Sequence, residues 1–179
     1  MCIRDSYKDP ELTQEVMDGD YFKTGDIGNL DEDGFLKITD RKKQMFKTSG
    51  GKYIAPQVIE NELKQSVFID QILVIGEGKN MAAAIIQPSF EEAKLWMDVQ
   101  SVSCKDDLES ICKNESLLEK INSEIRLHDD KFGKWEQVKV IRLTPDIWSI
   151  EEGHLTPTMK VKRKVVMDKY HTLIDDIYN

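Results

Sequence analysis

At 179 residues, with 40% apolar and 32% charged residues, the chain is long enough for one domain with a real core, or for one domain and part of another. Its formal net charge of -8 argues against a general nucleic-acid binder, whose footprint is a basic face. Cys2, Cys104 and Cys112 have no metal-type spacing and make no even framework, which points to ordinary thiols in a reducing, cytoplasmic compartment.

No run approaches the roughly 20 apolar residues that span a bilayer, and the opening MCIRDS lacks the apolar core of a signal peptide. That opening does not join smoothly to the segment from Tyr7 onward and reads as an artificial or truncated start. Asp9 before Pro10 is a helix start, an N-cap ahead of proline at the first helical position, and Glu11 to Met17 can continue the helix. Gly25-Asp26 then places a carboxylate on a tight turn, where its two oxygens can accept from a pair of neighbouring hydroxyls such as a ribose diol. Ile27 to Leu30 and Phe35 to Thr39 flank Asp31-Glu32-Asp33-Gly34 as a hairpin. This acidic turn lacks the alternating ligands and distant glutamate of a calcium loop and reads as a solvated turn. Asp40 and Arg41 come next, bringing a guanidinium suited to phosphate or ribose oxygens.

Gln44 to Thr48 and Lys52 to Ile54 bracket Ser49-Gly50-Gly51 as a second hairpin, whose glycines permit positive φ and close approach of a backbone or ligand. Pro56 opens a helix with Val58, Ile59 and Leu63 on one side. Gln71 to Gly76 and Met81 to Gln87 form a buried hairpin. Ser89 with Glu92, and Ser116 with Glu119, have the spacing of capping boxes. The first predicts a helix to about Asp98 with Trp96 and Met97 in the core, and the second a helical face of Leu118, Ile121 and Ile125, continued by a partly buried structural His128. Val138 to Leu143 is a strand, Thr144 to Thr158 a loop, and a final helix from about Lys164 carries Val166, Tyr170, Leu173 and Ile177 at helical spacing. Between loop and helix, Lys160 and Lys162 to Lys164 concentrate cations in an acidic chain. Such a cluster attracts phosphate, and it also reads as a solvated helix start.

YFKTGD (Tyr21 to Asp26), DRKK (Asp40 to Lys43), the glycine turn, IAPQVIE (Ile54 to Glu60) and LTPTMKVKRK succeed one another in order, and from Tyr7 onward the chain resembles the adenylate-forming (AMP-binding) superfamily, in particular the long-chain fatty acid:CoA ligases. The resemblance implies an α+β fold. Residues 1–39 would be the terminal segment of the large amino-terminal domain, a β-hairpin segment. Residues 40–179 would be a small mobile α+β lid domain with a short mixed sheet and flanking helices. It implies that Asp26 binds the ribose hydroxyls of ATP, that Arg41 contacts the nucleotide, that Asp40 to Lys43 form a hinge with Lys43 as its pivot, that Gly50 and Gly51 line the CoA channel, and that Lys160 is the catalytic, nucleotide-binding lysine. Lys162, Arg163 and Lys164 would face CoA phosphates or solvent. Met159 departs from the pattern, standing where many members carry glycine. ATP, Mg2+ and CoA would serve the complete enzyme, with a fatty acid as the acyl donor, the missing amino-terminal domain as partner and peripheral membrane association in the cell. Two other readings of the same residues are an aryl or short-chain adenylating ligase, and a non-catalytic nucleotide-binding or interaction module.

Overall fold

The computed structural model describes residues 9–41 and 45–179. The chain divides into two compact units, Met1–Met45 and Phe46–Asn179.

In the first unit, Pro10 starts α1 (Pro10–Val16), where both the amide and the hydroxyl of Thr13 donate to the Asp9 carbonyl, at 3.1 and 2.8 Å. A ribbon of β1 (Met17–Asp18) and β2 (Tyr21–Phe22) comes next, too short to show a period in the sequence. The expected hairpin is present as β3 (Asp26–Leu30) and β4 (Leu36–Arg41), paired antiparallel. Its turn is held by its own first carboxylate, since Asp31 Oδ1 accepts the amides of Asp33 at 3.1 Å and Phe35 at 2.7 Å. The register shifts at Gly28, where a Cβ would come within 2.8 Å of the Lys37 carbonyl. Tyr21, Phe22, Leu30, Phe35, Leu36 and Ile38 all stand exposed on this unit.

The second unit opens with β5 (Phe46–Lys47) and β6 (Tyr53–Ile54), the hairpin expected about the glycine turn, and then α2 (Pro56–Leu63), with Pro56 in its first turn. Its centre is a three-stranded mixed sheet in the order β7 (Ile69–Ile75), β8 (Ala82–Pro88), β9 (Val138–Leu143). The first pair is antiparallel and the second parallel. A parallel pair needs a long crossover, which α3 (Phe90–Val99), α4 (Leu108–Cys112) and α5 (Glu115–Asp129) supply. After an irregular stretch the chain ends in α6 (Arg163–Lys169) and α7 (His171–Tyr178).

Strand alternation sorts the core onto the two faces of this sheet. Ile72, Val74, Ala82, Ala84, Ile86 and Ile141 pack with Ile59, Leu63, Met97 and Ile121 of the helices on one face. Leu73, Ile75, Ala83 and Ile85 pack with Trp148, Leu155, Val166 and Ile177 on the other. Burial on both faces is why β7 and β8 read as unbroken apolar runs. Trp96 and Met97 lie in or against the core as expected, Trp96 edge-on to Phe68 at 6.3 Å between centroids.

Three local expectations are corrected. Ser89 stands at the N-cap of α3, but its side chain makes no capping hydrogen bond, so the capping box does not form. In α5 the cap is Asn114, whose Oδ1 accepts the Leu117 amide at 3.1 Å; Ser116 therefore lies inside the helix, and Leu117 joins Ile121 and Ile125 in the core while Leu118 is only partly buried. The expected single terminal helix is broken at Tyr170 (φ -101°, ψ 20°), whose hydroxyl is engaged by three side chains of the segment after β9. His128 is partly buried as expected, 3.4 Å from Glu62 Oε1.

One interaction ties the helices of both faces to the sheet. Glu60 Oε1 on α2 accepts the Val74 amide at 2.8 Å, while Arg163, first residue of α6, donates through Nη1 to the same carboxylate and through Nη2 to the Val74 carbonyl. Both side chains are largely buried, at 12% and 21% exposed. Removing one partner of such a pair takes away the charge and hydrogen bonds that offset the other. Arg163→Met should therefore cost about 3 kcal/mol of unfolding free energy in urea melts, and Glu60→Gln with Arg163→Met together should cost less than the sum of the two single changes. Strict additivity would show that the pair is not coupled.

Candidate functional site: a lysine hairpin and a glycine turn

The residues around Lys160 form a tight hairpin pinned at its foot. Thr156 N–H donates to the Lys160 carbonyl at 2.8 Å, Met159 N–H to the Thr156 carbonyl at 2.8 Å, and Lys160 N–H to Thr156 Oγ1 at 3.1 Å. Below the turn, Leu155 and Val161 form an antiparallel bridge, and Lys162 N–H donates to the His154 carbonyl at 2.8 Å. Met159 has φ +61°. The left-handed conformation costs a residue with a Cβ roughly 1–2 kcal/mol, so methionine here keeps the backbone path that glycine takes without strain. Lys160 and Met159 are both exposed. Among the described residues no carboxylate lies within ion-pair distance of Lys160, Lys162 or Lys164. Of the basic run, Arg163 alone is committed inward, to Glu60 and Val74, which removes it from the residues able to face a phosphate.

The glycine turn is anchored separately. Gly51 N–H donates to the Thr48 carbonyl and Thr48 N–H to the Lys52 carbonyl, both at 2.9 Å. Two further bonds key it to the turn between β7 and β8: Ser49 N–H to the Lys79 carbonyl and Gly78 N–H to the Lys47 carbonyl, both at 2.8 Å. Gly51 has φ +78°, whereas Gly50 lies outside the left-handed region and a Cβ there would meet only Thr48 Oγ1, at 3.9 Å. The turn thus presents bare backbone on a rigid support.

In the first unit, Gly25 turns the chain with φ +76° and Asp26 begins β3, its amide accepted by Thr24 Oγ1 at 3.1 Å. Asp26 and Arg41 are register partners across the hairpin, and Ile27 pairs with Asp40. Two residues separated by fifteen positions in sequence, and singled out for nucleotide contact, therefore stand side by side in the ladder. Lys43 lies outside the described residues.

Sequence reasoning missed the polar cluster that braces the lysine hairpin. Tyr170 OH donates to Asp146 Oδ2 at 2.7 Å, accepts from Trp148 Nε1 at 3.1 Å and lies 2.9 Å from Thr144 Oγ1. Lys169 Nζ lies 2.9 Å from Asp146 Oδ2 and 3.3 Å from His154 Nε2. The hydrogen bonds from Lys169 and Tyr170 hold the Asp146 carboxyl below its usual range. Burial pulls Lys169 down, but its hydrogen bond to Asp146 and the neighbouring negative charges outweigh this and leave it raised. Burial also pushes Tyr170 up, and it pushes the free Cys112 thiol up to about 12, which keeps that thiol inert. The available signal for the cluster was Tyr170 itself, a polar tip on an otherwise apolar helical stripe.

The chain matches the AMP-binding enzyme C-terminal domain family over residues 43–179. It is 35% identical over 173 residues to a long-chain-fatty-acid--CoA ligase of Mycobacterium tuberculosis, covering 97% of this chain and 29% of that protein. It is 40% identical over 176 residues to human long-chain-fatty-acid--CoA ligase 1, covering 96% and 25%. The chain thus spans between a quarter and a third of the length of these curated relatives. Its fold is similar to the adenylation domain of a carboxylate reductase from Mycobacterium chelonae, with a TM-score of 0.79 at 22% identity over 97% of this chain and 26% of that one. A second similar structure is the corresponding domain from Segniliparus rugosus, in complex with AMP and a carboxylic acid, with a TM-score of 0.79, 24% identity and the same coverage.

The strain at Met159 gives a direct check. Met159→Gly should leave stability within about 1 kcal/mol, since relief of the left-handed conformation offsets glycine's extra chain entropy. Met159→Val should lower it by roughly 1–2 kcal/mol, because a β-branched residue fits that region worst. Urea midpoints of the two variants test this; equal destabilisation by both would mean that the φ of residue 159 is not a constraint.

Proposed function

Because the chain belongs to the family of AMP-binding enzyme C-terminal domains, we propose that it is the carboxy-terminal part of a long-chain fatty acid:CoA ligase, which activates a fatty acid with ATP through an acyl-adenylate and transfers the acyl group to CoA. The observation that carries this reading is Lys160, an ammonium without a carboxylate partner among the described residues, held at the tip of a pinned hairpin in a chain of net charge -8. The long-chain type is supported by the curated relatives, which match across nearly the whole chain.

In the first half-reaction a fatty acid carboxylate oxygen attacks the α-phosphorus of ATP and pyrophosphate leaves. Lys160 donates hydrogen bonds to the negative charge that develops between them, and the rigid hairpin means that little reorganisation is needed at that moment. Asp26 accepts from the ribose hydroxyls, and Arg41, its register partner, contacts the nucleotide. In the second half-reaction the CoA sulfur attacks the acyl carbonyl, the bond to AMP breaks and AMP departs. Gly50 and Gly51 let the pantetheine arm pass close to the backbone. One domain rotation, with Asp40 to Lys43 as hinge and Lys43 as pivot, exchanges the lysine hairpin for the glycine turn.

In this reading residues 1–39 end the large domain and residues 40–179 are the lid. Among the described residues no group of three or more His, Cys, Asp or Glu side chains gathers into a metal site. In this reading Mg2+ would arrive on the triphosphate. The setting we propose is a reducing cytoplasm with peripheral contact at the membrane that supplies the acyl chain.

The half-reactions, measured separately in the full-length ligase that carries this segment, test the assignment. Lys160→Ala should slow acyl-dependent pyrophosphate release about a hundredfold, roughly 3 kcal/mol, and leave thioester formation from supplied acyl-adenylate far less affected. Gly50→Val should show the opposite pattern, since it adds bulk where the backbone φ tolerates a side chain. Equal loss of both half-reactions in Lys160→Ala would sink the assignment, as would acyl-CoA synthesis by the 179-residue chain alone.

A further inference from the structure

Among the described residues five lysines lie over aromatic rings, and they divide into two kinds. Lys120 over Phe68 and Lys169 over Tyr170 also hold carboxylates, Glu124 at 2.6 Å and Asp146 at 2.9 Å. Lys47 over Tyr53, Lys52 over Trp135 and Lys79 over Tyr178, at 5.6, 5.1 and 5.1 Å from the ring centroids, have no ion-pair partner among the described residues. A ring holds an ammonium in place and leaves its charge uncancelled. All three of these cations gather at the glycine turn. Lys47 and Lys52 flank it, and a Cβ on Gly51 would stand 3.6 Å from Lys47 Cε. Lys79 belongs to the neighbouring turn, where its carbonyl accepts from Ser49 N–H and Gly78 N–H donates to the Lys47 carbonyl. Residues 46–54 and 76–81 together set these three lysines against one acid, Glu77, so the spot is positive in a chain of net charge -8. Trp135 is itself fixed from behind. Its ring lies on Gly133, where a Cβ would come within 2.9 Å of it, and Glu136 closes that turn, its amide donating to the Gly133 carbonyl at 2.8 Å and its Oε2 accepting the Gly133 amide at 3.1 Å.

We propose that Lys47, Lys52 and Lys79 form a phosphate-binding site beside the glycine turn and take the phosphorylated nucleotide end of CoA, with Trp135 as the positioning residue for Lys52. The proposal rests on the ligase reading, which brings the pantetheine arm past Gly50 and Gly51. That arm is uncharged and needs bare backbone, whereas the nucleotide at its far end carries a diphosphate and a 3′-phosphate and needs cations. The turn and its flanks offer the two kinds of surface side by side. Ammonium groups serve phosphate as point charges, without the planar fit a guanidinium demands, so three of them about one turn can share several phosphate oxygens. Because the rings already restrict the lysine side chains, less side-chain freedom is lost when the phosphates arrive. The site thereby separates CoA from thiols that lack the nucleotide, at a distance from the reacting sulfur.

NMR titration of the 179-residue chain with adenosine 3′,5′-bisphosphate, up to about 10 mM, tests the site directly. The Gly50, Gly51 and Lys52 amides and the Trp135 indole N–H should shift together and saturate, and added salt should weaken the binding. Shifts centred on Lys160 to Lys164 overturn the proposal, as does the absence of any shift. Vesicles of phosphatidylcholine and phosphatidylserine that move these signals when the bisphosphate does not would make the patch a membrane surface, and overturn it too. In the full-length ligase, Lys52→Met keeps the stem on the ring and removes the charge. It should raise the KM for CoA about tenfold and spare the KM for pantetheine, which has no nucleotide; equal loss with both thiols overturns the proposal. Trp135→Ala should raise the KM for CoA roughly threefold, Trp135→Phe should restore it, and Trp135→Ala should add nothing once Lys52 is replaced by methionine. An effect that persists in that background overturns the positioning role. Failure of the ligase reading would appear in the half-reactions of Lys160→Ala, whereas failure of this site would appear in the bisphosphate titration with those half-reactions intact.

Discussion

Val74 lies on an edge strand, and both its amide and its carbonyl are satisfied from outside the sheet, by Glu60 and Arg163. An edge strand otherwise offers those groups to any passing chain. Closing them with a carboxylate and a guanidinium that also bond each other places two charges where water is scarce, and each offsets the other there. The two residues come from opposite faces. Glu60 rides on α2, whose Ile59 and Leu63 pack on one side of the sheet, and Arg163 begins α6, whose Val166 packs on the other. The pair therefore wraps the sheet edge and fixes the start of α6, and with it the lower limb of the lysine hairpin.

The two candidate loops inherit their rigidity from different parts of that frame. The glycine turn is keyed by backbone hydrogen bonds to the turn between β7 and β8, so its position is set by the sheet. The lysine hairpin is keyed to His154, to Arg163 and to the cluster about Tyr170, so its position is set by α6 and the segment after β9. In the proposed two-orientation lid, loops that do not deform separately are an advantage, and both are held by bonds at their feet instead of by side chains at their tips.

Much of this frame is written locally in the sequence. Asp31 to Gly34 and Ser49 to Gly51 mark turns by residue types whose backbone and side-chain chemistry demands them, and both hairpins form there. The doubly buried runs at Ile69–Ile75 and Ala82–Pro88 were legible for a similar reason. What was not legible depends on tertiary partners. Asn114 took the cap of α5 from Ser116 two residues on. Tyr170 kept its place in the helical stripe, yet its hydroxyl bonds to Thr144, Asp146 and Trp148 accompany a break in the helix. Arg163 is indistinguishable by type from the cations around it, and only the fold brings it to a glutamate 103 positions away. For the candidate site, Lys160, Asp26 and the glycine turn were singled out through ordered motifs, whereas His154 and Lys169, in contact beside the hairpin, belong to no motif and become visible only as neighbours in space.

The hairpin of β3 and β4 carries a further consequence, one for the handling of the protein. Leu30, Phe35, Leu36 and Ile38 stand exposed on a ribbon of two strands, and Tyr21 and Phe22 add to the apolar surface of the same unit. Such a ribbon is a template for strand addition between molecules. In the isolated chain this apolar surface favours association between molecules. A net charge of -8 opposes this at low ionic strength and ceases to do so as salt screens it. Salt thus acts on the isolated chain through a ribbon of the first unit and not through the doubly buried sheet of the second.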